Sequence, residues 1–347
     1  MNIQAGEIPS PENESVSLPV GRIELTEKHR GSCATEAAHR LTPTSQDRPA
    51  AQTLFVLQQA LRWLRREVEI TARMMVNNSL VVVSTTQITL GVALKNHFTG
   101  SELLRTYLIG WVLAFLYTYT FDLGNQAQGR IEDTHNKPWR PVPAGLVTPQ
   151  GLRARYIVAN VLYTYFGWRF GVLEWVLFWQ LSMIVMNALQ GRWYFIGKQI
   201  TMQTGLVAMY ATAWGAVEPL NALMWRWMFF AGVLFVFPLI MEDLRDIKGD
   251  KIIRRRTPIT LFGHWPVRIW SATWMFALPF IQHFALYAPS GASGHRIALC
   301  DCLVFSACWL IAYRLLRYRT PKQDAITYAL FYVTFLLALT TLSILYF

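Results

Sequence analysis

Asp243, Asp246 and Asp250 fall at i, i+3 and i+7 in the stretch "MEDLRDIKGDKIIRRRTPITLFG", residues 241–263, so on a helix the three carboxylates share one face. Like charges gathered this closely repel one another unless cations sit between them. Hard oxygen ligands with loose geometric demands suit Mg2+, which commonly also takes the oxygens of a substrate phosphate. A second stretch, "NQAQGRIEDTHNKPWRP" at 125–141, puts Asn125, Gly129 and Glu132 on one stripe at i, i+4 and i+7, with Asp133 beside them. Together the two sets outline a site for a diphosphate.

Elements that could position them are legible in the composition. The chain has 347 residues, of which 53% are hydrophobic, too many for a soluble domain with an ordinary surface. Apolar segments of about 20 residues, each long enough to cross the hydrocarbon as a helix, recur from residue 76 onward. Nine spans are expected, at 76–94, 103–124, 154–170, 171–190, 202–217, 223–243, 266–287, 296–313 and 324–346. Helices are the expected form, because a backbone in lipid must satisfy its own hydrogen bonds. Residues 1–52, rich in Pro, Ser, Thr and Glu, read as a disordered polar leader. They lack the apolar core of a signal peptide. Residues 53–75 alternate apolar and basic positions at helical spacing, which fits either an interfacial amphipathic helix or an ordinary helix leading into the first span.

Net charge is +11, yet its distribution argues against a nucleic-acid partner. Connections after the even-numbered spans hold 16 Lys and Arg against one, Lys95, in the opposite connections, which puts the even connections and the N-terminus in the cytosol. Both acid clusters then face the same cytosolic mouth. Either cluster alone is explained as well by boundary acids paired with neighbouring cations. Both on one face are not, since ionisable groups at spans are costly and tend to be functional. Cys300, Cys302 and Cys308 show no zinc spacing and read as packing residues. The glycosylation triplets at Asn13 and Asn77 read as chance matches.

The paired stretches resemble those of the UbiA-type superfamily of intramembrane prenyltransferases. The second motif matches at Asp243, Asp246 and Asp250, "YFIGK" supplies Tyr194 and Lys198 in the pattern Tyr-x-x-x-Lys, and Lys137, Pro138, Arg140 and Pro141 match the tail of the first motif. The resemblance implies nine helices around a central cavity. It further implies Mg2+ held by Asn125, Glu132, Asp133, Asp243, Asp246 and Asp250, and a diphosphate contacted by Lys198, with Lys137 and Arg140 nearby. At the first motif two family carboxylates are replaced by Gln126 and Gly129, while Glu132 is an added acid. This wording resembles a fungal branch of membrane-bound terpene cyclases that make sesquiterpenes from farnesyl diphosphate.

Departure of diphosphate would leave an allylic carbocation, which needs a dry pocket with aromatic faces. Tyr117 and Phe121, at i−8 and i−4 from Asn125, fall on the stripe running from the metal site into the membrane. Asn187 and Gln190 are polar at membrane depth on the side of Tyr194; substrate contact and helix-to-helix hydrogen bonding explain them equally. Three activities are weighed: cyclisation of farnesyl diphosphate, transfer of the isoprenoid chain to an aromatic acceptor, and transport. Transport is the weakest, because the acids lie at one face rather than at the midplane and no inverted repeat is evident. The expected setting is the endoplasmic reticulum membrane.

Overall fold

A computed structural model of the protein describes residues 47–128, 133–134, 137–188, 194–252 and 254–346. Among them every regular element is helical and none is a strand. The described residues divide into two units between Leu61 and Arg62. The expected disordered leader lies outside the described residues up to 46. Helix α1 then runs Asp47–Met75, so helix begins several residues ahead of the expected boundary.

Each expected span overlaps a helix: α2 (Ser79–Lys95), α3 (Gly100–Gln128), α4 (Pro149–Arg169), α5 (Leu173–Ala188), α6 (Tyr194–Gly215), α7 (Ala222–Ile252), α9 (His264–Gln282), α10 (Gly294–Arg317) and α11 (Pro321–Tyr346). A short α8 (Pro258–Phe262) lies between α7 and α9. By length and composition α7, α10 and α11 are apolar and long enough to cross a membrane, while α2 and α5 are apolar but shorter.

Local chemistry sets several boundaries. Thr148 accepts from Gly151 N at 3.0 Å ahead of Pro149, joining an N-cap to a proline whose missing N–H costs nothing at that position. Gly171, at φ 73°, turns the chain between α4 and α5, a conformation open to glycine at little cost. Inside α7, Pro238 cannot donate to the preceding turn, and residues Phe237–Glu242 tighten into 3-10 geometry. Two carbonyls there are taken by α9: Trp270 donates to Phe237 O at 2.8 Å and Ser271 to Pro238 O at 3.1 Å.

Neighbours in sequence are mostly neighbours in space, and α11 closes the arrangement by packing along α2. Close approach depends on small residues, as is usual between helices in membranes. A Cβ on Gly91 would meet Leu342 of α11 at 2.7 Å, and one on Gly110 would meet Thr89 of α2 at 2.7 Å. On α9 the fully buried Arg268 donates to Asp324 of α11 at 2.7 Å and to the carbonyls of Leu315 and Tyr318 at 3.0 Å. That guanidinium ties the last turn of α10 to the first turn of α11. At the other end of the bundle, Lys95, Asn96, Trp214 and Asn221 all donate to Glu218 between α6 and α7.

Candidate active site

A cavity of about 1400 Å³, its open mouth included, is walled by α2, α3, α5, α6, α7 and α11. Both sequence clusters reach it. Asn125, Asp133, Lys137, Arg140, Lys198, Asp243, Asp246 and Asp250 line the mouth, and Tyr117 and Phe121 line the interior. The stripe on α3 therefore does run from ionic mouth to apolar wall, as its spacing predicts.

Every carboxylate here has a cation against it. Lys198 Nζ lies 3.1 Å from both Glu242 and Asp243. Arg245 reaches Glu242 at 3.1 Å and Asp246 at 3.2 Å, and Lys137 reaches Asp246 at 3.5 Å. Arg255 pairs with Asp250 at 3.2 Å. Arg140 grips both oxygens of Asp133 at 2.7 and 2.9 Å. This last pair is buried, so Arg140 has a structural duty in addition to any ligand contact. Among the described residues, five cations and five carboxylates meet at the mouth. Their formal charges cancel.

Sequence reasoning missed Glu242, Arg245 and Arg255. Glu242 closes the 3-10 turn that Pro238 starts, where i and i+3 eclipse, and with Leu239 it falls on the cavity side. Pro238 was the available signal. Asn77 and Asn78, at the head of α2, also line the cavity, together with Tyr328 and Tyr332 of α11.

The remaining site expectations fare differently. Glu132 and Gln190 lie outside the described residues. Tyr194 opens α6, eight residues ahead of the expected span, but its side chain is likewise outside them. Asn187 is half-buried on α5 yet not on the cavity wall, where its neighbour Met186 stands instead. One residue along a helix is a rotation of about 100°, enough to turn it from the wall. Gln126, at the position of a missing family carboxylate, is 2% exposed and donates to Met74 O at 3.1 Å. It ties α3 to the last turn of α1 and does not line the cavity.

The deeper wall is aromatic and soft. Trp179 stacks on Tyr117 with centroids 4.4 Å apart, lies 6.0 Å from Phe121 and donates to Thr120 at 3.3 Å. The two stacked rings can lean on α6 because Gly205 has no side chain; a Cβ there would stand 2.7 Å from Trp179 and 2.8 Å from the Tyr117 hydroxyl. Phe235 packs with Phe331 and Phe335, centroids 6.0 and 5.4 Å away, as a second aromatic group on the wall, and Met202 and Met209 also line it.

The donor set suits a divalent cation that prefers oxygen, since it consists of carboxylates and an amide on one mouth. Yet no three Asp, Glu, His or Cys side chains among the described residues are gathered as a ready ligand set. Lysines and arginines are interleaved with the acids, so a metal would bind by displacing ion pairs.

Residues 82–337 match the UbiA prenyltransferase family, and the chain belongs to that family. It is 31% identical over 252 residues to the somaliensene A/B synthase of Streptomyces somaliensis, covering 72% of this chain and 83% of that one. Identity is also 31% over 239 residues with the diterpene cyclase eriG of Hericium erinaceus, covering 67% and 74%. The polyprenyl transferase eriF of the same fungus is 30% identical over 161 residues, covering 45% and 54%. A solved structure of digeranylgeranylglyceryl phosphate synthase shares the fold at a TM-score of 0.55 and 16% identity, covering 80% of this chain and 98% of that one. The protein is thus a membrane enzyme of the UbiA type, a terpene cyclase or a prenyltransferase, that processes an isoprenoid diphosphate.

Proposed function

We propose that the protein is a Mg2+-dependent terpene cyclase that ionises an isoprenoid diphosphate, with farnesyl diphosphate as the favoured substrate, and folds the chain into a cyclic product. The observation that carries this reading is the charge balance at the mouth. Among the described residues the five cations already face five carboxylates, which leaves no net attraction for a polyanion. Binding one requires added positive charge, which a divalent cation on the same carboxylates supplies. Asp243, Asp246 and Asp250 would hold it on one side and Asn125, Asp133 and Glu132 on the other. When bound, Mg2+ neutralises charge on the leaving diphosphate. With Asp246 and Asp250 engaged by the metal, Lys137 and Arg255 would turn to phosphate oxygens, and Lys198, still held by Glu242, would stand beside them, where charge-assisted contacts grow stronger as the leaving group departs. The aromatic and methionine wall excludes water and presents ring faces to the carbocation.

Cyclisation is favoured over transfer because the match to the diterpene cyclase eriG covers 67% of this chain and that to the polyprenyl transferase eriF only 45%. Nine spans around the cavity, an N-terminal leader outside the catalytic unit, a cytosolic mouth and an endoplasmic reticulum setting complete the proposal. Membranes containing the protein, given farnesyl or geranylgeranyl diphosphate and Mg2+ alone, are expected to release diphosphate and a cyclic hydrocarbon. Asp243→Ala and Asp246→Ala should abolish both. A prenylated product formed only when an aromatic acceptor is added would replace the cyclase by the transferase.

A further inference from the structure

Asp122 stands one turn before Asn125 on α3, fully buried, and no catalytic motif includes it. Its Oδ1 accepts the side-chain amide N–H of Asn78 at 2.6 Å, while its Oδ2 is buried without a hydrogen-bond partner. A half-satisfied buried carboxylate is costly and calls for a reason other than stability. The chain of contacts continues. Tyr332 donates its hydroxyl to Asn78 Oδ1 at 3.2 Å, and the hydroxyls of Tyr328 and Tyr332 lie 2.9 Å apart. Arg245 rests over the Tyr328 ring, 4.0 Å from its centroid.

The carboxylate fixes the direction of every bond in this chain. Asp122 Oδ1 is an acceptor here, so Asn78 turns its NH2 toward Asp122 and its carbonyl oxygen toward Tyr332. The Tyr332 proton is thereby committed to Asn78, and the proton between the two tyrosines must come from Tyr328. Tyr332 is left with oxygen lone-pair density and no proton to offer on its cavity side. Position adds to the argument. Tyr328 touches the ionic mouth through Arg245, while Tyr332 lies one helical turn further along α11, among Phe331 and Phe335. That is the border between charge and hydrocarbon, where the carbon bonded to diphosphate would sit. The Tyr328 ring already carries a guanidinium, which makes its face a poor host for a second cation.

We propose that the Tyr332 oxygen is the group that meets the allylic cation at this border, and that Asp122, acting through Asn78, is the positioning residue that keeps its lone pair turned inward. The contact is ion to dipole, so no bond forms and no proton moves. A preoriented dipole of this kind acts on the charge that develops in ionisation and has little effect on ground-state binding. The inference rests on the proposed ionisation of an isoprenoid diphosphate.

The test uses the full chain in membranes with Mg2+ and farnesyl or geranylgeranyl diphosphate, measuring diphosphate release and the ratio of cyclic hydrocarbon to linear alcohol. Binding of farnesyl thiolodiphosphate, which resists ionisation, is followed in parallel by tryptophan fluorescence. Tyr332→Phe and Asp122→Leu, which removes the acceptor at nearly the same volume, are expected to bind the analogue within about twofold of the parent, to lose about tenfold or more in kcat, and to form more linear alcohol. If Asp122→Leu does not fold, Tyr332→Phe, which lacks one hydroxyl, decides alone. Unchanged kcat and product ratio in an otherwise active protein would overturn the inference. So would a loss of analogue binding equal to the loss in kcat, which marks general distortion. A parent protein that releases no diphosphate from either substrate removes the functional reading and this inference with it, an outcome distinct from active variants on an active parent.

Discussion

Lys198→Met removes the charge that stands between Glu242 and Asp243 while keeping most of the side chain's bulk. At 3.1 Å and an effective dielectric of about 20, each contact carries roughly 5 kcal/mol of attraction before desolvation is subtracted. All three side chains are at most 20% exposed, so water screens them only in part. Removing one partner of such a buried cluster costs about 3–5 kcal/mol of stability, chiefly because the remaining charges are left unpaired. Activity should fall as well, by about 100- to 1000-fold in kcat/KM, the loss expected when a positive group aimed at developing charge is deleted. The two effects separate in the double variant Lys198→Met with Glu242→Gln. It removes one cation and one carboxylate, restores charge balance at the mouth and should recover most of the lost stability. Diphosphate release should stay low, since nothing replaces the ammonium beside the phosphate. The assay pairs thermal melting in detergent with diphosphate release from farnesyl diphosphate. Recovery of turnover together with melting temperature would mean that Lys198 serves only to neutralise Glu242, and the reasoning would be refuted.

Trp179→Ala deletes the ring that stacks on Tyr117, so the cavity should deepen and the preference should move from farnesyl toward geranylgeranyl diphosphate, read as a ratio of kcat/KM values, at a stability cost of about 3–5 kcal/mol. An unchanged ratio would place the wall's limit elsewhere. At Glu218, burial raises the carboxyl pKa, but hydrogen bonds from Asn96, Lys95 and Asn221, with the Lys95 charge, outweigh it and hold the pKa below its ordinary value. Its contribution to stability is therefore present above the unfolded carboxylate pKa and lost as pH falls through the lower folded value; Glu218→Gln should flatten the acid side of a melting-temperature profile, and an unaltered profile would argue against the assignment. Gln126→Asp, which restores a family carboxylate in name, should destabilise the protein by about 1–3 kcal/mol, because the acid would replace an N–H that satisfies Met74 O. A gain in Mg2+ affinity without loss of stability would contradict it.

Gln126 shows where reading the chain reaches its limit. Helices and the faces of motifs are local properties, carried by the 3.6-residue period and by runs of apolar side chains, so the sequence alone places the second motif's three aspartates on one helix face. The same period carried Tyr117 and Phe121 to the wall. Matching Gln126 to a family ligand fixes which residue occupies a position but not where its side chain points, and here it points to α1. Glu242 failed for a related reason: the 3-10 turn at Pro238 breaks the period that an α-helical count assumes. The chain from Asp122 through Asn78 to Tyr332 was illegible altogether, because it joins α2, α3 and α11 across 44 and 254 residues of sequence. Asn78 read only as part of a chance glycosylation triplet and Tyr332 as one more aromatic in an apolar span. What distinguishes them is a shared carboxylate that packing brings beside them, and a buried polar group acquires its meaning from its partners.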